Sequence, residues 1–113
     1  MHEAAVAEDI LGIAIDAAKK ADANAITEVN IAVGEMTGLE LSSLEFSFNV
    51  IKDGTIAQNA ALNISRTKLI GQCNKCGRKI HLTHYNFFCP YCKEGILKII
   101  SGREMKVLSI ETE

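Results

Sequence analysis

Apolar residues recur along this 113-residue chain with two different periods, and the alternation between them outlines the fold. From Glu3 to Ala23, Val6, Ile10, Ile13 and Ala17 share one helical face while Glu8, Gly12, Asp16 and Lys20 recur on the opposite side. Alanine content favours this helix, and Asn24 is a suitable stop because it tolerates a left-handed cap. Glu3, Glu8 and Asp9 suit the positive end of the helix dipole, and Lys19 and Lys20 the negative end. Thr27 to Gly34 then alternates through Val29, Ile31 and Val33, which predicts a strand.

The next segment fits both periods. Leu44, Phe46, Phe48 and Val50 alternate as in a strand, whereas Leu41, Leu44, Phe48 and Ile51 fall at helical spacing. Start signals favour a helix with its aromatic residues in the core. Thr37-x-x-Glu40 and Ser42-x-x-Glu45 both have capping-box spacing, and Gly54 supplies a stop. Ala60 to Ile70 predicts a second strand, and the strand–helix–strand order implies parallel pairing through a right-handed crossover. Two further extended runs follow, Ile96 to Ile100 and Glu104 to Ile110. The last would leave an apolar side uncovered unless it returned to the main sheet. The expected fold is α+β: a small mixed three-stranded sheet with two helices, built from residues 1–70 and 101–113, and an inserted all-β zinc-ribbon-like module at 71–100.

Composition narrows the function classes. An apolar fraction of 48% is ample for a core. No apolar run reaches the roughly 18 residues that cross a bilayer, and Met1 to Ala7 lacks a basic head before an apolar stretch, so a soluble, cytoplasmic protein is expected, with no membrane role. The net charge of −2 is unevenly spread: −7 over residues 1–65, +6 over 66–98 and −1 over 99–113. The basic stretch coincides with the cysteines. It suggests either a nucleic-acid footprint or lysines that offset the −2 of a zinc ion held by four thiolates. Charge compensation is the simpler reading, so nucleic acid is not the expected partner.

All four cysteines lie in Cys73-x-x-Cys76 and Cys89-x-x-Cys92, twelve residues apart. Each turn can aim two sulfurs at one centre, and two turns close a tetrahedron around structural Zn²⁺. Iron in the same cage, a redox pair at Cys89 and Cys92, and disulfides are the competing readings. The redox reading needs a following helix, and Gly95 with Ile96, Ile99 and Ile100 does not offer one. About 25 residues cannot bury enough apolar area to fold alone, whereas structural zinc supplies an apparent ~10–16 kcal/mol. His81 and His84, three apart on a probable strand, face opposite ways and read as exposed residues rather than ligands.

No nucleophile elbow, phosphate-binding glycine loop, His-Glu-x-x-His or framed carboxylate pair is present, so an enzyme is not expected. His2 stands out by position. The α-amine of Met1, the backbone nitrogens of His2 and Glu3 and the His2 imidazole can form fused chelate rings in one plane, which suits Ni²⁺ or Cu²⁺, and the Glu3 carboxylate can add an oxygen. The plain alternative for such a residue is a polar terminal side chain.

Met1-His2-Glu3 opening an amphipathic helix, Val33-Gly34-Glu35, Ser42-Ser43-Leu44-x-Phe46-x-Phe48, Gly54-Thr55-x-Ala57 and the paired Cys-x-x-Cys together resemble the HypA/HybF family of nickel metallochaperones, collinearly over the whole chain. The resemblance implies that His2 is the principal Ni²⁺ ligand, with Met1 and Glu3 completing the site. It implies structural Zn²⁺ at Cys73, Cys76, Cys89 and Cys92, and a helix in the ambiguous segment. It also implies delivery of nickel during [NiFe] hydrogenase maturation, with a HypB-type GTPase and the hydrogenase large subunit or its maturation complex as partners, and leaves a homodimer open.

Overall fold

The computed structural model describes residues 2–83 and 86–113. Helix α1 (Glu3–Lys20) packs on helix α2 (Leu41–Ile51), and both cover one face of a sheet ordered β2-β1-β6. Central strand β1 (Ile26–Gly34) pairs parallel with β2 (Ala61–Thr67) and antiparallel with β6 (Met105–Thr112), the mixed arrangement expected. Val29, Ile31 and Val33 are buried as their alternation predicts.

Four details of this layer depart from expectation. The buried stripe of α1 is Val6, Ala7, Ile10, Leu11, Ala14 and Ala18, while Ile13 is 51% exposed and Ala17 faces solvent. Alanines at 7, 14 and 18 let the helix approach its neighbours closely, so the small residues turn inward. Helix α1 also ends before Asn24. Asp22 takes the left-handed conformation (φ 53°), with Ala23 N–H bonded to Ala18 C=O and Asp22 N–H to Lys19 C=O, a Schellman closure. Further, α2 is capped by neither predicted box. Glu40 is its N-cap, and its carboxylate accepts from the amides of Ser42 and Ser43. The Thr37 hydroxyl instead donates to Gly34 C=O and accepts from Leu39 N–H, closing the 3-10 turn Glu35–Thr37. Of the aromatic pair on α2, Phe48 is fully buried but Phe46 is 71% exposed. Two positions on one helix point about 200° apart, so only one of them can enter a one-sided core.

The predicted strand at 60–70 is two strands. Strand β2 stops at Thr67, and Ile70 opens β3 (Ile70–Cys73), the centre of a second sheet ordered β4-β3-β5 with β4 (Lys79–His81) and β5 (Leu97–Ser101). All its pairings are antiparallel. The break occurs because Leu69 N–H leaves the ladder to donate to the Glu35 carboxylate at 2.6 Å. This sheet has its own small core of Leu69, Cys73, Leu82, Cys89 and Leu97.

The two sheets meet at a backbone crossing. Met36 N–H bonds Gly102 C=O at 2.8 Å and Gly34 N–H bonds Glu104 C=O at 2.7 Å. A side chain at Gly34 would strike the Gly102 carbonyl, and one at Gly102 (φ 104°) the backbone of Leu69, so both positions require glycine. The result is elongated, 55 × 26 × 16 Å with a radius of gyration of 17.6 Å, against the roughly 13 Å expected of one globule of this length.

Candidate metal centre

The four cysteine sulfurs converge, each within 4.8 Å of the others. They arrive on two matching turns. Gly77 N–H bonds Cys73 C=O and Lys93 N–H bonds Cys89 C=O, and residues 77 and 93, each four after the first cysteine of its pair, both adopt positive φ (77° and 61°). The first sulfur of each pair is buried, Cys73 at 3% and Cys89 at 2% exposure, while Cys76 is exposed and Cys92 half-buried. Between pairs, Cys73 Sγ lies 3.6 Å from Cys92 Sγ and Cys76 Sγ 3.7 Å from Cys89 Sγ. A tetrahedron with Zn–S bonds of about 2.3 Å has edges of about 3.8 Å, so the separations fit a zinc ion and are far too long for a disulfide. The cysteines are free, and residues 90–94 form turns and bends rather than the helix a redox pair needs.

The electrostatics favour a thiolate at the first cysteine of each pair, whereas burial and the neighbouring Cys73 and Cys89 sulfurs push the Cys76 thiol up to about 11. The amides of Cys76 and Lys75 both point at Cys73 Sγ from 3.4 Å, and together they hold that thiol down at about 6, the Cys76 amide contributing most. Cys89 is lowered in the same manner by the amides of Cys92 and Tyr91. Four protein sulfurs leave no open coordination position, so the set suits a structural role and offers no place for substrate or activated water. Two contributors escaped the sequence reading. Gly95 lets the chain pass so close to Cys73 that a Cβ there would occupy the sulfur's space. The Asn74 side chain accepts from Ile96 N–H at 3.0 Å, tying one cysteine turn to the start of β5. Gly95 was visible as a glycine beside the second cysteine pair, but nothing local marked what it approaches.

His2 is the N-cap residue of α1, with no side-chain capping bond. The first intrahelical bond runs from Val6 N–H to His2 C=O, so the amides of Glu3, Ala4 and Ala5 have no acceptor within the helix. Glu3 Oε2 accepts from Glu40 N–H at 3.1 Å, linking the starts of the two helices. Hydrogen bonds from the Ser42 hydroxyl, then the Ser43 amide and hydroxyl, hold the Glu40 carboxyl down at about 2. One Glu3 oxygen is thereby committed to structure. Met1 and His84 lie outside the described residues. His81 joins no metal cluster among the described residues; its Nε2 pairs with Glu35 Oε1 at 2.8 Å. Also among the described residues, no helix is long and apolar enough to cross a membrane.

Comparison with known proteins agrees with this arrangement over the full chain. The family model described as "Hydrogenase/urease nickel incorporation, metallochaperone, hypA" matches residues 1–112. The hydrogenase maturation factor HypA of Aquifex aeolicus is 34% identical, covering 100% of this chain and 98% of its own. That of Desulfatibacillum aliphaticivorans is 38% identical over 98% of this chain and 86% of its own. The solution structure of the Ni metallochaperone HypA from Helicobacter pylori superposes with a TM-score of 0.70 at 25% identity, covering 99% of this chain and 97% of that one. Another HypA solution structure gives 0.75 at 25% identity, covering 100% and 97%. A four-cysteine module that fits structural zinc beside a two-helix mixed sheet, in a chain matched over residues 1–112, makes this protein a member of the HypA family of nickel metallochaperones for hydrogenase maturation, and not an enzyme.

Proposed function

We propose that the cargo Ni²⁺ binds at the N-terminus, through the Met1 amine, the backbone nitrogens of His2 and Glu3, and the His2 imidazole. The observation carrying this reading is the uncapped first turn of α1. The Glu3 nitrogen has no intrahelical acceptor to lose, and the positive helix end favours the negative charge that amide deprotonation creates. Glu3 contributes its nitrogen first, because its carboxylate also serves α2. Binding releases protons from amine, imidazole and amides, so acid drives nickel off and a partner ligand can draw the ion away without dismantling a core. Cys73, Cys76, Cys89 and Cys92 hold resident Zn²⁺, whose role is to fold residues 71–100 as a unit separate from 1–70 and 101–113. In this reading the chain works in the cytoplasm with a HypB-type GTPase and passes nickel to the hydrogenase large subunit.

The test is calorimetric titration of Ni²⁺ into three proteins: the native chain, His2→Ala, and a form extended by residues before Met1. Both changes should weaken nickel binding sharply while zinc content stays at one per chain. Equal affinity in all three overturns the site.

A further inference from the structure

The small sheet buries one face only. Cys73 and Leu97 pack into its core with Ile99 against them, so Gln72, Ile96 and Lys98 project from the other face. The register sets what lies beside them. Gln72 stands opposite Lys79 on β4 and opposite Lys98 on β5, and Phe88 stands opposite Ile96. Directly opposed residues share a face, so an apolar pair, Phe88 at 67% and Ile96 at 55% exposure, adjoins a lysine–glutamine–lysine row. The surroundings have the same sign: residues 66–98 carry +6, still +4 after the −2 of zinc on four thiolates, and their one carboxylate, Glu94, lies 3.8 Å from Lys75.

We propose that this face docks an extended acidic segment of a partner protein, with an aliphatic side chain over Phe88 and Ile96 and carboxylates on Lys79 and Lys98. Those lysines are two strands apart, about 10 Å; side chains two apart on an extended chain share a face at a spacing of about 7 Å, a difference that two flexible lysine side chains span, so carboxylates in a Glu-x-Glu pattern match them. A protein segment suits the face better than nucleic acid. Single strands bind by stacking successive bases on aromatic rings. The Tyr91 ring is already covered by Arg78 at 4.5 Å, and the partner of Phe88 is aliphatic. The proposal is independent of where nickel binds.

The experiment follows backbone amide shifts of the zinc-loaded full chain during three titrations: the blocked peptide Leu-Thr-Glu-Val-Glu-Thr, whose leucine and two glutamates share one face when extended, its counterpart with lysine for glutamate, and a six-residue thymidine oligonucleotide. The acidic peptide should shift Gln72, Lys79, Phe88, Ile96 and Lys98, less so as salt rises, and the lysine peptide should not. The double reversal K79E/K98E, at unchanged zinc content, should weaken the acidic peptide at least about tenfold, since like charges placed together repel, and admit the lysine peptide. No shift at millimolar acidic peptide, shifts confined to other residues, or an equal response to the oligonucleotide overturns it.

Discussion

Glu35 and His81, 46 positions apart in the chain, meet at 2.8 Å, and the same Glu35 oxygen accepts the Leu69 amide at 2.6 Å. One carboxylate thus ties the end of β1 to the connection between the sheets and to β4 of the zinc module. The Leu69 amide first, then His81, hold its pKa below the ordinary value of 4.5. A carboxyl depressed on folding stabilises the folded state above its unfolded value, and that contribution is lost as pH falls through the folded one. The module should therefore stay oriented at neutral pH and loosen only below about pH 4.5. Glu35→Gln should mimic the acid form at pH 7, with disagreement between residual dipolar couplings of the two sheets and the zinc content unchanged. Identical couplings in the variant would refute the tie.

Removing zinc should unfold residues 70–101 while leaving the helices intact, because the second core is five residues of which two are ligands, whereas the first has its own large apolar cluster. Chelator should collapse the amide spectrum of the module and leave helical circular dichroism nearly unchanged. Loss of both together would show that the larger sheet also depends on the metal.

Gly95→Ala should weaken zinc binding by about 10–100-fold, the usual consequence of disturbing a ligand's support. The added methyl competes with Cys73 Sγ for space. Competition with a chromogenic chelator measures it, and Gly12→Ala, on an exposed helical position where the new methyl meets nothing, is the control.

Phe48→Ala should cost about 3–5 kcal/mol and Phe46→Ala no more than about 0.5 kcal/mol. The two are neighbours on one helix but 0% and 71% exposed. Urea denaturation separates them.

Glu40→Gln should flatten the acid stability profile. With its carboxyl at about 2, Glu40 stabilises α2 above about pH 4.5, and that contribution fades as pH drops toward 2. Thermal melts between pH 2 and 6 should show a shallower slope in the variant.

Which features could be read from the chain follows from how local their causes are. Alternation in Val29, Ile31 and Val33 and the spacing of the cysteines need no knowledge of neighbours, and both were legible. The α1 face was misjudged because hydrophobicity alone favours Ile13 over Ala14, whereas the closeness of the neighbouring elements decides which turns inward. The α2 cap was missed because two hydroxyl residues, Thr37 and Ser42, stood nearby with the customary spacing, yet the Glu40 carboxylate receives Ser42 and Ser43. The break at Leu69 depends on Glu35, 34 positions earlier, and the glycine demand at 34 and 102 on a crossing of distant backbone. No window of sequence contains both partners.

Strand order has a consequence for how the chain assembles. The outer strands β2 and β6 are separated in sequence by the whole zinc module, yet must flank the same β1. Until the module folds, completing the sheet means closing a flexible loop of more than thirty residues, with its entropy cost. Once folded, the module holds its entry and exit together, Ser101 Oγ donating to Lys68 C=O at 2.8 Å, so β6 is delivered to β1 almost pre-aligned. Metal capture by the four cysteines would thereby set the order of assembly: the sheet beneath α1 closes fastest in a chain whose small module is already folded.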